Sequence, residues 1–282
     1  MGKVWFITGA SSGFGEAFVR HALDQGHSIA ATARNIEKFA SIAAIAPERI
    51  LVHPLDVTKP GDAAVATAAA IDRFGCIDVL VNNAGYGIVG AVEETPEAEF
   101  RAQMETNFFG AVAVLQAVLP FMRAQRSGAV VNISSLAGQR ASAGFGAYSA
   151  SKFALEGLSE ALAQELAPFG IKVLIVEPGV FRTGFASESS LRHMPVLEAY
   201  RETIADRREF AHAMDGTQAG DPAKAAAAVA AALSAERTPL RLQLGQDSVN
   251  AVRGHAEGLL EELRGWEHVA VSTAFDNIDS PE

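Results

Sequence analysis

The chain has 282 residues, 49% of them hydrophobic, with a net charge of −10 and an isoelectric point near 5.2. That length suits one large domain or two small ones, with enough apolar residues for a substantial core. The acidic balance favours solubility and argues against non-specific binding to nucleic acid or to an anionic membrane.

Cys76 is the single cysteine, so no intrachain disulfide can form. No histidine adjoins it, and it reads as a small buried hydrophobe rather than a nucleophile. The seven histidines show no paired ligand spacing, and no metal site is expected. The opening run Lys3 to Ile7 is too short for a targeting segment and lacks a cleavage signature. No stretch approaches the roughly 20 uncharged apolar residues that span a bilayer. These features make the cytoplasm the expected location. No repeat or interdomain linker is visible, so residues 1–282 are expected to form one domain.

Val4 to Ile7 reads as a buried strand, followed by Thr8-Gly9-Ala10-Ser11-Ser12-Gly13-Phe14-Gly15 and a helical pattern through Gln25, stopped by Gly26. A strand, a glycine-rich turn and a helix N-terminus make an anion cradle, with backbone N–H groups and the positive helix end aimed at a pyrophosphate. The spacing is Gly-x-x-x-Gly-x-Gly rather than the commoner Gly-x-Gly-x-x-Gly. His27 to Ala33 is a second strand, ending in Arg34-Asn35 where many dinucleotide folds place a ribose-binding acid. A guanidinium suits a 2′-phosphate, whereas a carboxylate would repel it, so NADP(H) is expected over NAD(H). The alternative is an arginine that faces only solvent.

Ile50 to Leu55 is a third strand ending in Asp56-Val57-Thr58. Asp56 could accept from an adenine amino group or cap the helix that starts near Pro60 and includes Ala63 to Phe74. Ile77 to Val81 is a fourth strand, closed by Asn82-Asn83-Ala84-Gly85, where asparagines can tie strands together and the backbone can pass close to a ribose. Thr95-Pro96-Glu97 reads as a cap and first turn of one long helix to about Gln125, with Asn107 inside it against propensity. Ala129 to Ile133 is a fifth strand with Ser134-Ser135 at its carboxyl end, where open α/β sheets place ligands.

Tyr148 and Lys152 follow on a helix running to about Ala167. Four residues apart, they share one helix face. A free phenol with a pKa near ~10 is a poor acid or base at neutral pH, and bringing it to ~7 takes about 4 kcal/mol at ~1.36 kcal/mol per unit. An ammonium in a partly dry site, helped by a bound cationic cofactor, could supply that. Ile171 to Val176 is a sixth strand, closed by Pro178-Gly179-Val180 with Thr183 beyond. The pattern loosens over 185–219, and Arg201 to Glu209 reads as a solvated helix face. Asp221-Pro222 opens an alanine-rich helix to about Ala235, Leu240 to Leu244 is a seventh strand, and Ser248 to Leu263 a last helix, with a frayed tail from Ser272.

Seven strands alternating with helices predict a Rossmann-type doubly wound parallel sheet with helices on both faces, and a crevice at the carboxyl ends of the first, fourth and fifth strands. At this point the chain resembles the short-chain dehydrogenase/reductase family in its compact single-domain form. The matching residues are the Thr8–Gly15 turn, Asp56-Val57, Asn82 to Gly85, Asn107, Ser135, Tyr148 with Lys152, and Pro178-Gly179 with Thr183, together covering about residues 3–183. Phe14 stands where an aliphatic residue is more usual.

The resemblance implies that Tyr148 is the proton donor or acceptor and that Lys152 lowers its pKa and binds the nicotinamide ribose. It implies further that Ser135, thirteen residues before Tyr148, holds the substrate oxygen, that Asn107 helps hold a relay water, and that Thr183 and the backbone near Val180 place the carboxamide. It makes the chain an NADP(H)-dependent oxidoreductase that interconverts a ketone or aldehyde and an alcohol. A catalytically silent NADP(H)-binding sensor or scaffold is the competing class. The family also implies a homo-oligomer, dimer or tetramer, paired through the helices at about 96–125 and 147–167. Tyr86, Val89, Leu136, Gln139, Phe145, Phe181, Phe185 and parts of 187–215 are the expected pocket wall, under a variable lid over about 185–220. That wall suits a small hydrophobic carbonyl or alcohol.

Overall fold

The computed structural model describes residues 2–187 and 190–275. The chain begins β1 (Val4–Ile7), α1 (Gly13–Asp24), β2 (Ser28–Ala33), α2 (Ala40–Ile45), β3 (Ile50–Pro54), α3 (Asp62–Phe74), β4 (Val79–Asn82) and β5 (Gly87–Val89). It continues α4 (Glu97–Met104), α5 (Gly110–Gln125), β6 (Gly128–Ile133), α6 (Gly146–Leu166), β7 (Ile171–Pro178) and β8 (Leu191–His193). It closes with α7 (Ala205–Ala213), α8 (Pro222–Ser234), β9 (Arg241–Leu244) and α9 (Gln246–Val271).

Seven strands form one parallel sheet in the order β3-β2-β1-β4-β6-β7-β9. The order reverses between β1 and β4, which opens the crevice beside the carboxyl ends of β1, β4 and β6 where the sequence puts its glycine turn, Asn83 and Ser135. Every residue of β1 and β4 is buried, because helices cover both faces, so these strands read as unbroken apolar runs. Successive side chains enter opposite layers. Trp5 and Ile7 pack with α1 and α8, while Phe6 packs with Leu80, Val114 and Met122 under α3 and α5. Asp221 caps α8, its side chain accepting from the Ala223 and Lys224 amides, with Pro222 at the first turn as expected.

Several local expectations need correction. The helix expected over 95–125 runs unbroken from Glu97 to Gln125, but it contains a π turn, Glu105–Phe109, that carries Asn107. The Thr95 hydroxyl does not cap it but donates to the Ala91 carbonyl at 3.0 Å. Asp56 caps no helix; one of its carboxylate oxygens takes the Thr58 amide and hydroxyl at 3.1 and 2.7 Å, closing a tight turn. A small parallel pair, β5 with β8, lies outside the main sheet and has no strong sequence signal, since Gly87 and Arg192 break the apolar alternation. Helix α9 starts two residues earlier and ends eight later than expected. The frayed tail lies mostly outside the described residues. Glu97–Gln125 comes closer to a membrane span than its sequence reading allowed, with a mean hydropathy of 1.3 over its most apolar window. Here it packs through Val114, Leu115, Val118 and Met122 against the sheet.

The 185–220 segment is tied to the body by the β5–β8 pairing and by a buried ion pair. The Glu94 carboxylate, 5% exposed as a residue, accepts from the amides of Ala91 (2.7 Å) and Leu197 (2.9 Å) and from the Arg208 guanidinium (2.6 Å). Burial opposes its charge, but these hydrogen bonds and the Arg208 charge outweigh it and hold the carboxyl below the usual range. Arg208→Ala leaves that carboxylate buried and is expected to cost about 3–5 kcal/mol. A lower melting temperature and faster amide exchange over 191–213 are the readouts. Because the folded pKa is depressed, the stabilisation exists above the unfolded pKa and fades as pH falls through the folded value, so the variant also loses acid sensitivity at this point.

Candidate active site

The turn after β1 is held open by its neighbours. The Thr8 hydroxyl accepts from the amides of Asn83 (2.9 Å) and Ala84 (3.1 Å), and the Asn83 side-chain amide donates to the carbonyls of Thr8 (2.9 Å) and Gly9 (3.0 Å). One β4-terminal asparagine thus fixes the β1 turn. Gly9 has φ +61°, and a Cβ there would come within 2.9 Å of the Ala84 backbone; only glycine fits. Ser12 precedes α1 without a side-chain hydrogen bond to the helix amides, and with Gly13 and Phe14 it lines a cleft, an arrangement that suits an anion.

That cleft, about 520 Å³, is lined by Gly9, Ser11, Ser12, Gly13 and Phe14, by Arg34 and Asn35, by Asp56 and Val57, and by Asn83, Ala84, Gly85 and Thr183. The structure therefore gathers nearly all the residues expected to hold the cofactor. Tyr148, Lys152, Pro178, Gly179 and Val180 line the adjoining cleft instead, and Gly15 lines neither: it is buried, and a Cβ there would lie 2.3 Å from the Gly9 carbonyl oxygen, so it packs helix on turn. The sequence reading missed Lys38, Thr58 and Arg192 on the rim. Lys38 sits one short turn beyond Arg34, and the cation pair was a legible signal. For Asp56, burial works against its charge, yet the Thr58 hydrogen bonds and Arg34 hold its carboxyl below the ordinary range.

A second cleft of about 370 Å³ adjoins the first, sharing Phe14, Asn83, Gly85, Tyr86, Thr183 and Phe185. Tyr148, Lys152 and Ser135 line it, as do Pro178, Gly179 and Val180. Tyr148 and Lys152 are on one buried face of α6, with the Lys152 Nζ 5.8 Å from the phenol ring centre. Nζ donates to the Ile133 carbonyl at the end of β6, 2.7 Å away. Ser135 stands just past that strand, its hydroxyl accepting from the Ala137 amide at 3.1 Å and lying beside the Tyr148 phenol. Ser134 is turned into the protein, 3% exposed.

The electrostatics differ from expectation. Burial pushes the Tyr148 phenol up to about 12, with the Ser135 hydroxyl pulling the other way. Burial also brings Lys152 down to about 8, while the Glu156 carboxylate one turn on works to raise it. Desolvation dominates at both groups, so the net shift of the phenol is upward despite the ammonium nearby. Asn107 is 2% exposed. Its amide donates to the Tyr86 carbonyl (2.9 Å) and the Ser151 hydroxyl (3.0 Å), and its carbonyl oxygen accepts from the Tyr86 amide (3.1 Å). Both side-chain donors are engaged, so Asn107 fixes the Tyr86 backbone and α6 instead of offering an amide donor to a relay water.

Tyr86, Leu136, Phe145, Phe181 and Phe185 line the second cleft as expected, joined by Arg207, Phe210 and Met214 from the 187–215 region. Val89 does not: it is fully buried in the strand β5 cluster. Gln139 does not either, because it donates to Glu156 at 3.0 Å. Phe14 packs against Phe181 at 5.1 Å and Phe18 at 6.5 Å, which explains an aromatic at that place. Asp247 at the start of α9 accepts from the Val180 amide at 2.7 Å and fills the space beside Gly179; nothing local in the sequence ties it to that backbone.

Behind Lys152 lies a buried cluster. Arg241 of β9 reaches Glu156 (3.1 Å), Glu177 (3.2 Å) and Glu160, and Gln243 donates to Glu177 at 2.7 Å. Burial raises Glu156, and raises Glu177 to about 7.

Residues 3–193 match the short chain dehydrogenase family model. The chain is 39% identical over 275 residues to oxidoreductase BOA17 of Botryotinia fuckeliana, covering 97% of this chain and 100% of that one. It is 40% identical over 248 residues to a 3-ketodihydrosphingosine reductase of Bacteroides thetaiotaomicron, covering 86% and 88%. Among solved structures, a short-chain dehydrogenase from Streptomyces avermitilis superposes with a TM-score of 0.93 at 48% identity, over 98% of this chain and 100% of that one. An alcohol dehydrogenase of Thermococcus sibiricus complexed with 5-hydroxy-NADP follows at 0.71 and 27%, covering 86% and 96%. A short-chain dehydrogenase/reductase of Burkholderia phymatum in complex with NAD stands at 0.81 and 25%, covering 93% and 95%. The chain belongs to the short-chain dehydrogenase/reductase family.

The electrostatic reading is testable on the lysine itself. Glu156→Gln removes the carboxylate that favours the charged ammonium, so the Lys152 pKa falls further below its ordinary value. NMR titration of the lysine side chains reads this directly; an unmoved Lys152 would show that Glu156 does not act on it.

Proposed function

We propose that the protein is an NADP(H)-dependent oxidoreductase that interconverts a ketone or aldehyde and an alcohol. The observation that carries this is the meeting of Ser135, Tyr148 and Lys152 in an apolar cleft that adjoins the one lined by the β1 turn, Arg34 and Asp56. The relatives named as reductase and dehydrogenase support the same reaction class.

The residues fit a nicotinamide dinucleotide. Gly9, Gly13 and the uncapped start of α1 line the first cleft, and among the described residues the Lys152 ammonium has one acceptor, the Ile133 carbonyl, for its three donors. When bound, a reduced nicotinamide would supply the hydride. The chain does the rest. Ser135 holds the carbonyl oxygen, and Tyr148, neutral at pH 7 with its pKa near 12, gives that oxygen a proton. Lys152 binds ribose hydroxyls and stabilises the phenolate left behind. Pro178, Gly179, Val180 and Thr183 shape the wall on which the carboxamide would rest. Asn107 positions Tyr86 and α6.

Arg34 and Lys38 beside a strand end without a carboxylate favour a 2′-phosphate. The related structures are complexed with 5-hydroxy-NADP in one case and with NAD in another, so the choice rests on these two cations. The aromatic wall suits a hydrophobic carbonyl, and the 185–220 segment, anchored at Glu94, acts as its lid. Phe109, Phe121 and Phe153, exposed at 50%, 38% and 44%, support homo-oligomer pairing through the helices that carry them.

Tyr148→Phe is expected to reduce turnover of a hydrophobic carbonyl panel, followed by NADPH absorbance, by about 10²–10⁴-fold while NADPH still binds. Wild-type turnover in this variant would defeat the assignment. Arg34→Ala should weaken NADPH binding about tenfold or more and leave NADH binding nearly unchanged, as expected for loss of a charge-assisted contact of about 1.5–3 kcal/mol. Tighter NADH than NADPH binding by the wild type would overturn the cofactor choice.

A further inference from the structure

Helix α9 is longer than its seat. Its first three turns touch the body through Ser248, Val249, Ala251, Val252, His255 and Gly258. From Leu259 to Val271 every residue is exposed. Yet this free length carries Leu259, Leu260, Leu263, Trp266 and Val269, between 44% and 69% exposed. An isolated helix of this length is marginal in water, and large apolar residues grouped on one side mark a covered surface.

The spacing says what covers it. Ala256, Leu259, Leu263, Trp266 and Ala270 alternate in steps of three and four, a heptad seam that fits a second helix of the same kind. Arg253, Leu260 and Glu267 follow one another at intervals of seven along the edge of that seam. Two copies packed antiparallel about Leu260 put each Arg253 opposite the other copy's Glu267. Parallel packing would instead face each Glu267 with Glu262 of the other copy, like charge on like, and leave Arg253 opposite Ser248. Neither residue has an ion-pair partner among the described residues. A membrane surface fits less well, because the helix also carries Glu257, Glu261 and Glu262 in a chain of net charge −10.

We propose that α9 is a self-association arm, which pairs antiparallel with α9 of a second copy of this chain. The interface is distinct from one through the 96–125 and 147–167 helices and does not depend on the catalytic reading.

Two measurements test it on the full chain. In a Cys76→Ser background, Leu260→Cys sits on the symmetry point and is expected to form a disulfide-linked dimer under mild oxidation, while Glu261→Cys does not. By sedimentation equilibrium, Glu267→Arg should weaken assembly at least tenfold, and Arg253→Glu with Glu267→Arg should restore it. Leu263→Glu with Trp266→Glu should halve the assembled mass without changing the circular dichroism of the folded body. No cross-link at 260 together with an unchanged mass in that double variant would overturn the proposal. So would binding of the monomer to phosphatidylcholine/phosphatidylserine vesicles that the double variant loses, which would make the arm a membrane contact.

Discussion

One hydrogen bond fixes the geometry on which the site depends: the Lys152 ammonium on the Ile133 carbonyl, 2.7 Å away. It joins the buried face of α6 to the last residue of β6. Since Ser135 begins two residues beyond Ile133 and Tyr148 sits one turn before Lys152, a single contact brings the phenol, the hydroxyl and the ammonium into one cleft. The constraint works because the sheet edge is rigid. Asn82 donates to Asn132 at 3.0 Å and Asn132 to Ser159 at 2.8 Å, so β4, β6 and α6 are tied at the same level by fully buried amides. Buried amides left unpaired would cost about 1–3 kcal/mol each, so this ladder admits few alternative registers.

A buried ammonium with one carbonyl partner is costly, and the fold answers it electrostatically rather than with a direct ion pair. Glu156 lies one turn away and favours the charge, but its own charge is opposed by burial and shared with Glu177 around a single guanidinium, Arg241. Three carboxylates share this half-buried arginine, Glu160 being the third, and burial together with the Glu156 charge drives Glu177 to about 7. For an acid raised this way, the folded state is favoured below the unfolded pKa and loses stability as pH climbs toward 7. The cluster trades stability near neutrality for a field behind the lysine.

The sheet was legible because its strands are buried on both faces and so announce themselves as apolar runs between glycine turns; β1 and β7 need no tertiary information to be found. Tyr148, Lys152, Ser135 and the β1 turn were legible through order and spacing. What escaped notice depends on contacts distant in sequence. The π turn at Asn107 relieves no local conflict that composition shows; its reason is the pair of bonds to Tyr86 and the one to Ser151. The β5–β8 pair joins residues about a hundred apart, and Asp247 meets Val180 across 67 positions. The phenol's acidity was misread for a related reason: spacing shows that an ammonium is near, but only the packed structure shows how dry both groups are.

That dryness fixes the resting state of the phenol. With its pKa raised to about 12, Tyr148 keeps its proton at pH 7, and giving that proton up costs about 7 kcal/mol at ~1.36 kcal/mol per unit. Stabilising the phenolate requires positive charge near the ring; Lys152, brought down to about 8 by burial, stands 5.8 Å from the ring centre, and Arg140 and Arg207 line the same cleft. In the proposed reaction a cationic oxidised nicotinamide would add to that charge. In the proposed reaction, the state of the cofactor then sets the acidity of Tyr148, and the apolar walls that exclude water make that control strong, because charges interact over short distances at low effective dielectric.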